Sequence, residues 1–146
     1  IDPFIRELPS SKLKVELYPG DAEKMPFDEN SFDTVVSTFS FCSVSNPRLT
    51  LKEISRVLKP DGKLLFLEHG KAESRFVQQL QNIANPLYNV FAFGCNVNRD
   101  YRQIISDAGF IIESYRSYRA KIVPKLIVGY LHEGIAINEK LEDTVR

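Results

Sequence analysis

The side chains able to do chemistry are few and widely spaced. The chain has two cysteines, Cys42 and Cys95, and two histidines, His69 and His132. Neither cysteine falls in a Cys-x-x-Cys spacing. The sequence therefore offers no metal or redox motif, and a zinc site would require convergence of residues far apart in the chain. No metal is expected. The Cys42 thiol is more often a small buried hydrophobe than a reactive group. The acids say more. Asp21 follows Pro19-Gly20, and Glu68 directly precedes His69. A carboxylate at a strand-ending turn can accept from the amino group of an adenine while the Ala22 backbone meets the ring edge and Met25, Pro26 and Phe27 wall the ring. Equally, Asp21 can simply cap the turn at Glu23. Neither Gly-x-Gly-x-x-Gly nor Gly-x-Ser-x-Gly occurs, which argues against a dehydrogenase half and against a hydrolase.

Such groups need strands and helices to position them. Lys14–Tyr18 alternates as a strand and ends at Pro19-Gly20. Phe32–Phe39 is a buried central strand by its Val, Thr and Phe content. Asn46 caps a helix with Pro47 at its first position, and Leu51, Ile54 and Leu58 share one face. Lys59-Pro60-Asp61-Gly62 stops that helix, and Lys63–Glu68 is the next strand. Ser74–Phe91 is amphipathic, with Phe76, Leu80, Ile83, Leu87 and Phe91 on a face expected to join the core and a kink expected at Pro86. Asn98 is expected to cap a helix through Asp107, with Tyr101, Ile104, Ile105 and Ala108 inward and Gly109 closing it. Phe110–Arg119 and Leu126–Ile137 should pair antiparallel, and 138–146 should be a flexible tail. The fold class is α/β, a mostly parallel sheet covered on both faces with an antiparallel C-terminal strand pair. Ligands bind such sheets outside the carboxyl ends of the strands. Gly20-Asp21, Ser37–Ser43 and Glu68–Gly70 lie there, and the Phe91–Asn98 loop can fold over them.

The 146 residues carry 19 basic and 19 acidic side chains, with 43% apolar and 26% charged residues. That describes one ordinary globular domain. With no basic field, nucleic acid is not an expected partner. No apolar run approaches the ~18 residues of a membrane span, no signal peptide opens the chain, and a reducing, cytoplasmic setting is expected.

The run Gly20-Asp21-Ala22-Glu23 with Pro26-Phe27, then Phe32-Asp33-x-Val35-Val36, then Glu53-Ile54-x-Arg56-Val57-Leu58-Lys59-Pro60-x-Gly62 resembles class I S-adenosylmethionine-dependent methyltransferases of the ubiquinone/menaquinone-biosynthesis type. Phe41-Cys42-Ser43-Val44, Phe66-Leu67-Glu68-His69, Phe93-Gly94-Cys95-Asn96-x-Asn98-Arg99 and Tyr130 are similar to the methyltransferase-like thiol methyltransferases. The resemblance implies a Rossmann-like sheet and S-adenosyl-L-methionine as cofactor. It implies that Asp21, Ala22 and Glu23 lie on the adenine side, that Ser37, Thr38 and Phe39 line the methionine end, and that Cys42 sits near the sulfonium. Glu68 and His69 would face a small-molecule substrate, with His69 as base for a thiol, hydroxyl or carbon acceptor. The bland alternatives are that Ser37 and Thr38 merely end a strand, that His69 is a surface imidazole, and that Glu68 pairs with a base such as Lys71.

Against the family pattern, the seven glycines are scattered and none forms the Gly-x-Gly turn that lets backbone approach such a cofactor. The domain is accordingly expected to be N-terminally incomplete. Ile1–Phe4 is either the end of a strand whose Asp2 would bind a ribose or a cloning-vector remnant. Missing strands would expose one edge of the Phe32–Phe39 strand, and an exposed strand tends to find another chain. A homodimer is expected, and a non-catalytic interaction module is the rival to an enzyme.

Overall fold

The computed structural model describes residues 15–120 and 127–140. The described elements are β1 (Phe32–Thr38), α1 (Pro47–Val57), β2 (Leu58–His69), α2 (Arg75–Phe91), α3 (Tyr101–Asp107), β3 (Phe110–Arg119) and β4 (Tyr130–Asn138). They form one four-stranded sheet in the order β1-β2-β4-β3. β1 and β2 run parallel, in register at Val35↔Leu64 and Ser37↔Phe66. β4 is antiparallel to both its neighbours, with Gly134 opposite Phe66 on one side and Tyr115 on the other. The α/β, Rossmann-like class is as the sequence implies, with the antiparallel pair at the C-terminal end, but the described sheet is not mostly parallel: only β1 and β2 pair that way, because β4 inserts beside β2 in the opposite direction.

Helix α1 starts where the sequence places it. The Asn46 side chain accepts from the backbone N–H groups of Arg48 and Leu49, and Pro47 occupies the first turn. Leu51, Ile54 and Val57 turn inward. Leu51 and Ile54 join Leu64 and Phe66 of β2 and Tyr101 and Ile105 of α3 in one cluster, so the core lies on the α1/α3 face of the sheet. On the opposite face Val36 is 67% exposed. The expected cover on both faces is therefore present on one, among the described residues. At Gly134 a methyl group would lie 2.3 Å from the Ser114 carbonyl and 2.8 Å from the Phe66 ring, so only glycine lets β3 and β4 close beneath that ring.

Several expectations are corrected. Residues 15–18 are not a strand, and Val15, Leu17 and Tyr18 are exposed. Alternation specifies a strand only where a neighbour completes the ladder; here the Tyr18 ring instead packs edge-on against Phe27. β2 begins at Leu58 rather than Lys63, because Leu58 already stands opposite Phe32. The α2 face bearing Phe76, Ile83, Leu87 and Phe91 points to solvent, not to the core. The buried members of α2 are Val77 and Gln81. Gln81 decides the helix's rotation: its amide donates to the carbonyls of Gly70, Val97 and Ile127 and accepts from Ala72 N–H. Unpaired, a buried amide costs more than exposed apolar surface of similar size. Helix α2 also runs through Pro86 as one segment.

The α3 cap is Asp100, which accepts from Gln103 N–H, whereas Asn98 donates to Asn82 on α2. Tyr101 and Ile105 are fully buried as expected, and Gly109 leaves the helix at φ +89°. The last strand starts at Tyr130, with Leu126 outside the described residues, as are Ile1–Phe4. The start of the supposed tail is anchored. Asn138 is buried and donates to Ser55, Leu58 and Lys59 carbonyls, and Lys140 Nζ bonds the carbonyls of Arg56 and Leu58.

Candidate functional site

Beyond Thr38 the chain turns sharply. Phe39 adopts φ +51°, a left-handed conformation unusual for a bulky residue and costing on the order of 1–3 kcal/mol. Its N–H still donates to Leu67 at 2.9 Å, and its ring lies against the His69 imidazole with centroids 4.6 Å apart. The strained turn thus brings the tip of β1 onto the tip of β2.

Glu68 organises the loop beyond this turn. One carboxylate oxygen accepts from Ser37 Oγ at 2.7 Å and Ser40 N–H at 3.0 Å; the other accepts from Cys42 N–H at 3.3 Å. The residue is completely buried, so it points into the loop and not toward an open substrate space, and Ser37 turns inward with it. Burial raises the Glu68 carboxyl above its ordinary range, against the lowering by Ser37 and the loop N–H groups. Lys71, the suggested partner of Glu68, pairs with Asp100 instead.

The loop between α2 and α3 clamps the first. Asn96 donates its backbone and side-chain N–H groups to the Cys42 carbonyl at 2.7 and 3.0 Å. The Arg99 guanidinium donates to the carbonyls of Phe41 and Val44. The Phe91–Asn98 loop therefore does fold over the strand tips, and it carries Cys95 inward. Cys95 Sγ lies 3.8 Å from His69 Nδ1, and Cys42 Sγ, Cys95 Sγ and a ring nitrogen of His69 all lie within 4.8 Å of one another. The distance in sequence that argues against a metal or redox grouping is overcome by the fold. Both thiols are free. The Cys95 hydrogen bond draws the Cys42 thiol well below its ordinary range, opposed by burial and helped by His69 and Ser43. Cys95 is correspondingly raised by that same bond and by burial.

The Asp21 turn is strapped to the same end of the sheet. Asp21 Oδ1 accepts from Glu23 N–H at 2.9 Å, which is the capping geometry. Glu23 Oε1 accepts from Asn46 N–H at 2.6 Å, tying the turn to the start of α1. Arg56 holds the carbonyls of Met25 and Phe27, and Glu53 accepts from Met25 N–H. Asp21, Thr38 and His69 thus share the carboxyl end of the strands, while Met25 and Phe27 spend part of their surface on internal packing. The sequence alone does not reveal the clamping by Asn96 and Arg99 or the triad of Cys42, His69 and Cys95. The contiguous Gly94-Cys95-Asn96 is the available signal, but its partner loop is identified only by the fold.

A methyltransferase-domain family matches residues 4–66. The yeast mitochondrial methyltransferase OMS1 is 33% identical over 89 residues, covering 60% of this chain and 18% of that protein. The human thiol S-methyltransferase TMT1A is 36% identical over 83 residues, covering 56% of this chain and 34% of that protein. The ubiquinone/menaquinone biosynthesis C-methyltransferase UbiE of Pseudomonas syringae is 29% identical over 146 residues, covering 83% of this chain and 52% of that protein. The chain thus spans about half or less of the length of these relatives. Among solved structures, a SAM-dependent methyltransferase of Methanosarcina mazei superposes with a TM-score of 0.62 at 19% identity, covering 84% of this chain and 66% of that one. In sequence over residues 4–66 and in fold, the chain is similar to the class I S-adenosylmethionine-dependent methyltransferases, whose methyl donor is S-adenosyl-L-methionine. Within that class its likeness runs to the ubiquinone/menaquinone C-methyltransferases and to the thiol S-methyltransferases.

The described residues fit part of such a donor. Asp21 is exposed at the turn it caps, and Thr38 is open to solvent beside the Phe39 turn. The Gly-x-Gly element is not among the 146 residues.

Proposed function

We propose that this chain supplies the adenine edge, methionine end and acceptor side of a methyltransferase that acts on a small nucleophile, with a thiol preferred over a hydroxyl or carbon. The observation that carries the reading is the meeting of the Asp21 turn, the strained Phe39 turn and His69 at one end of the sheet. When bound, the cofactor offers an electrophilic methyl on a sulfonium, and the thioether that leaves is neutral. The protein's task is therefore alignment and exclusion of water more than acid help. Asp21 and the Ala22 backbone hold the adenine edge, with Glu23 bracing their turn. Thr38 and Phe39 line the methionine end, and Cys42 borders it. Ser37 and Glu68 are positioning residues that fix the loop carrying Cys42. His69 takes the proton that a thiol or hydroxyl must lose. The preference for a thiol rests on the likeness to the human TMT1A and rat TMT1B thiol S-methyltransferases.

Calorimetry with S-adenosylhomocysteine tests the reading. Micromolar binding that weakens at least tenfold in Asp21→Ala, together with methyl transfer to a small thiol, is the expected result. Absence of heat with correctly folded protein would overturn it. The rival reading is a non-catalytic module that binds through its sheet edge. It is favoured by β1 standing at the edge of the sheet, with β2 as its one strand neighbour among the described residues. Under either reading, the proposal has the domain pair with a second copy along β1 and work in the reducing cytoplasm. Gel filtration showing compact monomer alone would count against the pairing. No described helix is long and apolar enough to cross a membrane.

A further inference from the structure

We propose that Cys42, His69 and Cys95 form a three-ligand site for a zinc-class divalent cation, with a fourth position open to an exogenous thiol. The donor atoms already lie within 4.8 Å of one another, with Cys95 Sγ and His69 Nδ1 at 3.8 Å. A tetrahedral zinc with sulfur at about 2.3 Å and nitrogen at about 2.0 Å sets its donors roughly 3.6 Å apart. Closing from the observed spacing needs side-chain rotation of about an ångström or less. Two thiolates and an imidazole select zinc over magnesium or calcium, and three protein ligands leave the open position that closed structural sites lack.

The scaffold is already built for such a site. Cys42 is fixed on both sides of its backbone, by Glu68 at its N–H and by Asn96 at its carbonyl. Cys95 N–H bonds Ala92, and His69 stands in the β2–β4 ladder opposite Leu131 with its ring against Phe39. Each liganding thiol gives up its proton to solvent on binding, and the incoming thiol does the same, so it is held as a thiolate. This deepens the proposed reading, on which it rests, by naming how a thiol acceptor is activated. His69 then acts as a ligand, and the cation replaces it in drawing off the acceptor's proton.

Titration of the reduced full chain with cobalt(II) in the absence of cofactor tests the proposal. One equivalent should bind with a sulfur-to-cobalt charge-transfer band, and zinc should displace it. Addition of 2-mercaptoethanol to the cobalt-loaded protein should strengthen that band. Cys42→Ser, Cys95→Ser and His69→Ala should each weaken binding by roughly a hundredfold, with circular dichroism confirming the fold. Should a variant fail to fold, X-ray absorption of the zinc-loaded native chain still decides, because it must show two sulfurs and one imidazole from the protein. Absence of the band, equal binding by the variants, or an indifferent response to added thiol would overturn the proposal. So would a Cys42–Cys95 disulfide that re-forms in a glutathione buffer despite the metal. S-adenosylhomocysteine calorimetry is unaffected by any of these outcomes, so the two readings fail separately.

Discussion

The loop after β1 and the outer face of α2 are built from similar residues and end in opposite conditions. The loop carries Phe39, Phe41, Cys42 and Val44, and its backbone groups find partners in Glu68, Asn96 and Arg99. The helix face carries Phe76, Ile83, Leu87, Val90 and Phe91, continues to Phe93 at 96% exposure, and meets solvent. Apolar content does not separate the two. Buried hydrogen bonds do: Gln81 rotates α2 so that its amide is satisfied and its apolar stripe is left outside. Candidate chemistry collects where the backbone is immobilised, which is what alignment of reacting groups requires.

The contrast can be broken most severely at Glu68. Glu68→Ala strands the Ser37 hydroxyl and the N–H groups of Ser40 and Cys42, and should cost about 4 kcal/mol by urea denaturation. Glu68→Gln keeps one accepting oxygen for Ser37 and Ser40 but sets an N–H2 group against the Cys42 N–H, and should cost less than the alanine change. Next comes Arg99→Ala, which frees the carbonyls of Phe41 and Val44 and should cost about 2 kcal/mol.

A smaller effect is conditional on pH. Burial holds the His132 imidazole below its ordinary value of 6.5, opposed by the Lys71 carbonyl and the nearby acids Asp100 and Glu73. The unfolded chain therefore binds more protons below pH 6.5, and stability should fall as pH drops from 6.5 toward the folded value. His132→Gln should flatten that slope in urea midpoints measured across the range. The smallest change is expected on the exposed stripe. Ile83→Lys with Leu87→Lys should alter stability by no more than about 0.5 kcal/mol in the monomer. A larger loss that depends on protein concentration would show that the stripe is covered in solution.

Local signals carry much of the fold. Asn46-Pro47 begins α1, Gly109 ends α3, and the Val-rich stretch before Thr38 becomes β1, because caps, turns and strand composition act over a few residues. What escapes a sequence reading depends on distant partners. Val15–Tyr18 alternates faultlessly and forms no strand, with no neighbouring strand beside it among the described residues. The α2 stripe has helical period, but its direction is set by the carbonyls that Gln81 reaches. Of the candidate site, Phe39, Cys42 and His69 are legible as residues at strand ends, and Asp21 as the acid of a turn, although the strand expected before it does not form. The inward turn of Glu68 and the approach of Cys95 to His69 are not, because each depends on a loop more than twenty residues away.

The strand order has a consequence for how the chain is made. β4 is the last of these elements to leave the ribosome, yet it belongs in the interior of the sheet, between β2 and β3. During translation β2 can zip only to β1, while β3 emerges without any neighbour among these strands and must wait for the segment through Asn138. The nascent protein therefore passes through an interval in which two open ladders face solvent. A chaperone that shields strand edges would act during that interval, before β4 arrives to close the centre of the sheet.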